Sequence, residues 1–375
     1  MFITFYKNIK AAQPQITFDD ILANPYQEIN TTPIEPEWLK LTTKIPEHVG
    51  KTMFDKRFPD NINSKVAHIP SIPKPDKEYY SFRIPKRRDP SKWRSIDAPN
   101  PELKMEQTLI KLAIEDTLKI LPHDAAHAYT KKRSTATCLK VHQDYESKWF
   151  LGLDIEEFFP SHNAEYINRM MDLIYPFKFI PQEIKDKWIK SALLDNKIPQ
   201  GSSLSPTLTN ILMVPIDHAI FTYLSKRQEG FRYTRYADDL IISSKYKFNP
   251  DHIETAIKNI FKQFNTPFKL NEEKSRFGSS SGKNWNLGIM LNKENKITIG
   301  HENNQRMRAM INNFLVDNFT LNNHWSLIEI QQMTGKIAYY KSIQPDYTNH
   351  VLKKYSSKYN STWDILIKEA MNRTI

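Results

Sequence analysis

Cysteine is almost missing: the 375-residue chain has one, Cys138. An intrachain disulfide is impossible, and cysteine-rich zinc sites are excluded. No apolar run approaches the ~20 residues of a membrane span. The first residues, Met1 to Lys7, lack the basic start and long apolar stretch of a secretory signal. There is no long-period repeat and no low-complexity tract. A cytoplasmic soluble protein without a membrane partner is the default expectation. Acid is short relative to base, with 42 Asp and Glu against 53 Lys and Arg, a net charge of +11. That excess favours a polyanionic partner, nucleic acid before membrane. The length can bury a substantial core and fits two or three subdomains.

Against that basic background one acidic pair stands out. Tyr236-Ala237-Asp238-Asp239 lies between two apolar, β-prone runs. Successive strand residues point to opposite faces, so neighbouring aspartates serve one site only if the backbone turns there. A hairpin tip would present both carboxylates together, at an electrostatic cost that a divalent cation offsets. A solvated turn is the plainer alternative, because Asp is common in turns. A third acid, Asp154, interrupts the apolar run Phe150 to Phe159. An unpaired Asp in a strand core is expensive, so it is expected at the mouth of the sheet, aimed at a cation. Asp154, Asp238 and Asp239 would form an oxygen-rich cluster suited to Mg²⁺ or Mn²⁺. Two such ions can clamp the attacking and leaving oxygens of a phosphoryl transfer.

The rest of the chain supplies the surroundings. From Ile72 to Arg94, eight basic and three acidic residues are interleaved with Tyr79, Tyr80, Phe82 and Trp93. Tyr79 to Ile84 and Trp93 to Ile96 are expected as strands, with Lys86 to Lys92 as their connection and Trp93 packing the hairpin. Helical spacing runs over Glu102 to Ile120, most of Asn163 to Leu194, Leu204 to Leu224, Ile253 to Phe264, and Ser326 to Ile343. In the last, Ile330, Met333, Ile337 and Tyr340 form one stripe. The loop Gln200-Gly201-Ser202-Ser203-Leu204-Ser205-Pro206 enters a helix, where free N–H groups can meet phosphate or base, or can simply be capped. Lys274 could stabilise or protonate a leaving pyrophosphate, or be only solvated. Asn286 to Leu291 reads as a short strand in which Gly288 permits close backbone contact. Residues 1–75 show no chemistry. The order of elements implies an α+β fold whose sheet carries the acids.

In this order the segments resemble reverse transcriptases of the bacterial kind, including retron and phage-defence enzymes, over about residues 79–345. Tyr236 to Asp239 resembles the family's signature tetrad, Asp154 to Pro160 its first metal motif, and Ile198 to Pro206 its template- and nucleotide-contacting loop. The resemblance implies a right-hand polymerase with fingers, a palm of antiparallel sheet plus helices, and a helical thumb. It places an N-terminal extension at 1–75, fingers at 76–145 and 163–205, palm at 146–162 and 206–291, and thumb at 292–375. Asp154, Asp238 and Asp239 would hold the metals, with Lys274 joining them in catalysis. Lys86, Arg87, Arg94, Glu157, Phe159 and Gln200 would bind the dNTP, and Phe159 would exclude a 2′-hydroxyl. Gly201, Ser202, Tyr236, Leu287 and Gly288 would contact template and primer. The retron element Asn-Ala-x-x-His is matched only by His142, and Val-Thr-Gly is replaced by Asn286-Leu287-Gly288.

The implied activity is RNA-directed DNA polymerisation with dNTPs on an RNA template, a dedicated noncoding RNA in this group, in anti-phage defence. A second copy or an effector protein remains open as a partner. The alternatives are template-independent or protein-primed DNA synthesis and, from another class, a non-catalytic RNA-binding scaffold. The three clustered acids oppose the last, since they repel phosphate.

Overall fold

The computed structural model describes residues 78–375, apart from 87–88, 119, 281–284, 286–287, 322 and 374–375. These residues lie in the unit Glu47–Ile375. The N-terminal extension, Arg87, Asn286 and Leu287 are outside the described residues.

Strands β1 (Tyr79–Lys86) and β2 (Asp89–Pro99) pair antiparallel from Tyr79↔Pro99 to Pro85↔Trp93. Both run longer than their sequence pattern suggests. In a two-stranded ribbon both strands are edges, so Pro85 and Pro90 are tolerated. The ribbon is also largely solvated, which blurs the expected alternation of apolar residues. Trp93 does not pack the hairpin and is 57 % exposed.

Helix α1 (Pro101–Leu112) starts at Asn100, whose side chain accepts from the Leu103 N–H, and passes into a π turn at Ala113–Thr117. Helix α2 (Thr135–Asp144) opens on a capping box made by Ser134 and Thr137. The expected helical stretch from 163 to 194 divides into α3 (Ala164–Leu173) and α4 (Gln182–Ala192). The stretch 204–224 divides into α5 (Ser205–Leu212) and α6 (Val214–Ser225) at Met213, just ahead of Pro215. A proline favours the first turn of a helix and disrupts its interior.

The central sheet has four antiparallel strands in the order β4 (Arg232–Tyr236), β5 (Asp239–Ser244), β3 (Trp149–Asp154), β6 (Arg276–Ser279). Helix α2 and helix α6 pack on β4. Helix α7 (Pro250–Gln263) packs on α6 and buries Ile253, Ala256, Ile257, Ile260 and Phe261, an apolar stripe at helical spacing. A small hairpin, β7 (Met290–Leu291) with β8 (Ile297–Thr298), leads into a helical C-terminal part. That part comprises α8 (Gly300–Phe319), α9 (Leu327–Ile343), α10 (Pro345–Ser356) and α11 (Trp363–Asn372). The stripe read from α9 is buried as expected, and its core continues through Trp285 to Phe150 of the sheet. Gly335 lies on the exposed face of α9, where an added Cβ would meet nothing within 4 Å. Packing within the chain therefore gives no reason for this glycine. The architecture is α+β.

Candidate active site

The acids converge through strand register. Asp154 ends β3 directly opposite Asp239, the first residue of β5. Tyr236↔Asp239 closes the β4–β5 hairpin, leaving Ala237 and Asp238 as its two-residue loop. Ala237 has φ 58, a left-handed conformation that costs an L-residue with a Cβ ~1–2 kcal/mol. Neighbouring contacts hold it there. The Ile155 N–H donates to the Asp238 carbonyl at 3.0 Å, and Arg235 Nη1 donates to the Ala237 carbonyl at 3.1 Å.

Arg235 and its partner Asp217 are both fully buried. The guanidinium grips the carboxylate through Nε (2.9 Å to Oδ1) and Nη2 (2.7 Å to Oδ2). Tyr233 donates its hydroxyl to the same carboxylate at 2.7 Å, and Arg235 Nη1 also donates to Asn210 Oδ1 at 3.0 Å. The turn that presents Asp238 is thus fixed from beneath by a satisfied ionic network. Sequence reasoning missed these residues. The one available signal was Asp217 itself, a charge inside the apolar run Val214-Pro215-Ile216-Asp217-His218-Ala219-Ile220.

Asp154 is buried, and both of its carboxylate oxygens accept from Lys274 Nζ, at 2.9 and 2.8 Å. Lys274 comes from the short turn Glu272–Lys274, capped by Asn271, whose N–H in turn donates to the Asp154 carbonyl at 2.8 Å. The Asp238 carboxyl is pushed above its ordinary value, first by burial, and further by the negative charge of Asp154. Lys274 and Arg94 oppose that rise. Hence Arg94, on the exposed ribbon opposite Ile84, lies near enough to act electrostatically on Asp238. Among the described residues, no three acidic, histidine or cysteine side chains are closed around one point. The donor set nevertheless fits a hard divalent cation. Its ligand atoms are carboxylate oxygens, anionic charge is penalised at Asp238, and a cationic ammonium already sits on Asp154.

The adjacent phenylalanines separate cleanly. Phe158 is core, 3 % exposed, with its ring perpendicular to His162. Phe159 is half-buried and faces Tyr129, ring centroids 6.3 Å apart at 63°. Glu157 is exposed at φ 43, at the bend after the strand. The 198–206 loop docks on the ribbon: the Asp97 N–H donates to the Gln200 carbonyl at 2.7 Å. Gly201 has φ 124, and a Cβ there would lie 2.9 Å from both the Asp97 carbonyl and Ile96 Cγ2. Ser202 faces inward, its hydroxyl donating to Gln107 Oε1 at 2.7 Å. Tyr236 is half-buried opposite Asp239. Gly288 has φ 96, near Asn303 Nδ2. Lys86 ends β1, and Arg87 and Leu287 are outside the described residues.

His142 is fully buried and bridges two strands, with Nδ1 2.6 Å from Ser243 Oγ and Nε2 2.8 Å from Thr234 Oγ1. Burial pushes its imidazole down to about 3. The histidine read as the remnant of a retron element is a neutral tie between α2 and the sheet.

Residues 72–301, well over half of the chain, match the family described as "Reverse transcriptase (RNA-dependent DNA polymerase)". The "Retron Ec73 reverse transcriptase" of Escherichia coli is 27 % identical over 285 residues, covering 71 % of this chain and 87 % of that protein. The "Retron Mx162 reverse transcriptase" of Myxococcus xanthus is 34 % identical over 179 residues, covering 44 % of this chain and 35 % of that one. Among solved structures, telomerase from Candida albicans with a fragment of telomeric RNA is similar with a TM-score of 0.42 and 14 % identity, covering 84 % of this chain and 61 % of that one. The chain thus spans about three fifths of that polymerase's length.

Proposed function

Because the chain belongs to the reverse transcriptase family, whose members are RNA-directed DNA polymerases, we propose that the acid end of the central sheet is its polymerising centre. One observation carries this reading: β3 and β5 bring Asp154 opposite Asp239, with Asp238 beside them on a buttressed turn. Asp154, Asp238 and Asp239 would hold divalent cations, Mg²⁺ or Mn²⁺, which when bound supply Lewis-acid activation of a primer hydroxyl and neutralise leaving-group charge. The chain's own residues position the reactants. Lys274 orients Asp154 by donating to both of its carboxylate oxygens, and its half-exposed ammonium would meet the charge of a leaving pyrophosphate. Arg94 offers phosphate a planar, permanently charged fork; the resemblance assigns Lys86 and Arg87 to the same phosphates, Arg87 lying outside the described residues. Gln200 and Gly201 press a backbone against that ribbon and so set the width of the nucleotide slot. Phe159 lies under the sugar and Glu157 at its edge. Gly201, Ser202, Tyr236 and Gly288 would line the template and primer path, Ser202 by shaping the loop from within; Leu287, assigned to that path by the resemblance, lies outside the described residues.

The subdomains follow the boundaries given by the resemblance: fingers 76–145 and 163–205, palm 146–162 and 206–291, thumb 292–375. The exposed face of α9, with Lys336 and the open approach at Gly335, and Lys341, Lys353 and Lys354 nearby would meet the product duplex. The retron reverse transcriptases among the relatives and the net charge of +11 support an RNA template; that template would be a dedicated noncoding RNA and the role phage defence, as the resemblance implies. Among the described residues no helix is long and apolar enough to cross a membrane.

The test is the double variant Asp238→Asn, Asp239→Asn. Incorporation of dNTPs on an RNA template should vanish while RNA affinity, read by filter binding, stays near wild type. Persistent incorporation by that variant would refute the site.

A further inference from the structure

Tyr129 was not among the residues singled out from the sequence. Two features set it apart. Its backbone is left-handed, φ 55, which for a residue with a Cβ is strained, and its ring is 55 % exposed. Turn positions of this kind ordinarily go to Gly or Asn. The four residues before it, Ala125, Ala126, His127 and Ala128, are all buried, so the exposed ring stands at the end of a packed stretch.

The loop is built, not loose. It adds a parallel bridge to the edge of β4: the Arg235 N–H donates to the Ala125 carbonyl at 2.6 Å, and the His127 N–H to the Arg235 carbonyl at 2.8 Å. Arg133 Nη1 donates to the carbonyls of His123, Asp124 and Ala126. Asn210 Nδ2 donates to the Ala128 carbonyl at 2.6 Å while its Oδ1 accepts from Arg235. The Arg235–Asn210 pair therefore fixes two things at once, the Ala237–Asp238 turn and the residue before Tyr129. The ring so placed meets Phe159 at a steep angle, 63° with centroids 6.3 Å apart, forming an aromatic corner. Its phenol lies within the fields of Asp238 and Arg94, from two other elements.

We infer that Tyr129 is a specificity-determining residue of the nucleotide site, its ring forming with Phe159 a two-walled aromatic corner that closes on the sugar of the incoming dNTP. This rests on the polymerising centre proposed above. A strained backbone that exposes an aromatic ring is disfavoured in the free protein. A flat, partly apolar sugar seated in the corner removes that ring from water and makes the arrangement favourable.

The experiment compares Tyr129→Gly and Tyr129→Phe with wild type in steady-state single-nucleotide incorporation, using dNTPs and rNTPs, alongside thermal melts. Glycine accepts φ 55 without strain, so Tyr129→Gly should melt no lower than wild type. Its KM for dNTP should rise about tenfold, with a smaller change in kcat, and its preference for dNTP over rNTP should fall. Tyr129→Phe keeps the ring and should stay within about threefold of wild type. The inference is overturned if Tyr129→Gly keeps the wild-type KM and sugar preference, or if Phe and Gly lose equally, which would assign the effect to the hydroxyl. A large drop in the melting temperature of Tyr129→Gly also overturns it, since the ring would then be a packing element. Wild-type incorporation that disappears in Asp238→Asn, Asp239→Asn upholds the centre whatever Tyr129 does. A wild-type protein that incorporates nothing sinks both.

Discussion

Replacing Asp217 by Ala removes the acidic partner of the buried Arg235 guanidinium and the acceptor of the Tyr233 hydroxyl. Breaking a buried pair from one side costs about 3–5 kcal/mol, because the remaining charge has neither water nor partner. The stranded phenol adds about 1 kcal/mol. Against a total stability of ~5–15 kcal/mol this is a large fraction. At ~1.6 °C per kcal/mol for a unit of about 300 residues, the loss from the pair alone lowers the melting temperature by about 5–8 °C. The double replacement Asp217→Leu, Arg235→Met removes both charges and fills their volume, so most of that stability should return. Function should not return with it. Arg235 also donates to the Ala237 carbonyl and to Asn210, and methionine can do neither. The left-handed turn then relaxes and Asp238 leaves its place beside Asp154 and Asp239. Urea unfolding paired with dNTP incorporation reads the two effects separately. The reasoning fails if Asp217→Ala costs less than about 1 kcal/mol, or if the double variant recovers incorporation together with stability.

Phe159→Ala should loosen rejection of ribonucleotides by about tenfold, measured as the ratio of kcat/KM for dNTP and rNTP; an unchanged ratio would show that Phe159 does not face the sugar. Gly201→Ala places a Cβ against the Asp97 carbonyl and Ile96, which should lift the loop off the ribbon and break the Gln200–Asp97 hydrogen bond. Its kcat/KM for dNTP should fall about tenfold while the melting temperature moves only a few degrees, and unaltered kinetics would contradict the docking. His142 is held neutral in the fold at about 3, against an ordinary 6.5 in the unfolded chain. Between those values the unfolded chain binds more protons, so its contribution is complete above pH 6.5 and is lost as pH falls through the window. The slope is up to about 1.4 kcal/mol per pH unit. Urea midpoints at pH 7.5 and 5.5 should therefore differ less in His142→Gln than in wild type.

What was legible in the sequence was whatever broke a local pattern or kept one strictly. Asp154 interrupts an apolar strand, and the structure puts it at the strand's end, where its charge can be met. The aspartate pair lies between two β-prone runs, and the hairpin turns between them. The stripe of α9 is legible because Ile330, Met333, Ile337 and Tyr340 all obey one period and all face one core. The ribbon strands were drawn too short, since a solvated two-stranded ribbon imposes little alternation on residues such as Arg83 and Ser91. Helix α8 was not drawn as a helix because its apolar residues, Met307, Ile311, Phe314 and Leu315, are diluted by polar ones.

The support of the site was illegible for a different reason. A buried ion pair between Asp217 on α6 and Arg235 on β4 is a fact about how a helix meets a strand, and no local pattern encodes it. Yet the two halves of the problem imply each other. Two adjacent carboxylates can face one site only through a turn. A two-residue turn between strands forces positive φ on its first residue here, an alanine. A strained turn beside three acids needs a donor beneath it that does not itself neutralise those acids. Arg235 meets that need because Asp217 takes up its charge while one Nη1 hydrogen bond remains for the Ala237 carbonyl. An acid-tipped hairpin followed back along its strand to a buried arginine, with an aspartate on the covering helix, is therefore one physical unit. Asn210 extends that unit to the loop carrying Tyr129, so the position of the acid-bearing turn and the position of the exposed ring are set by the same two side chains.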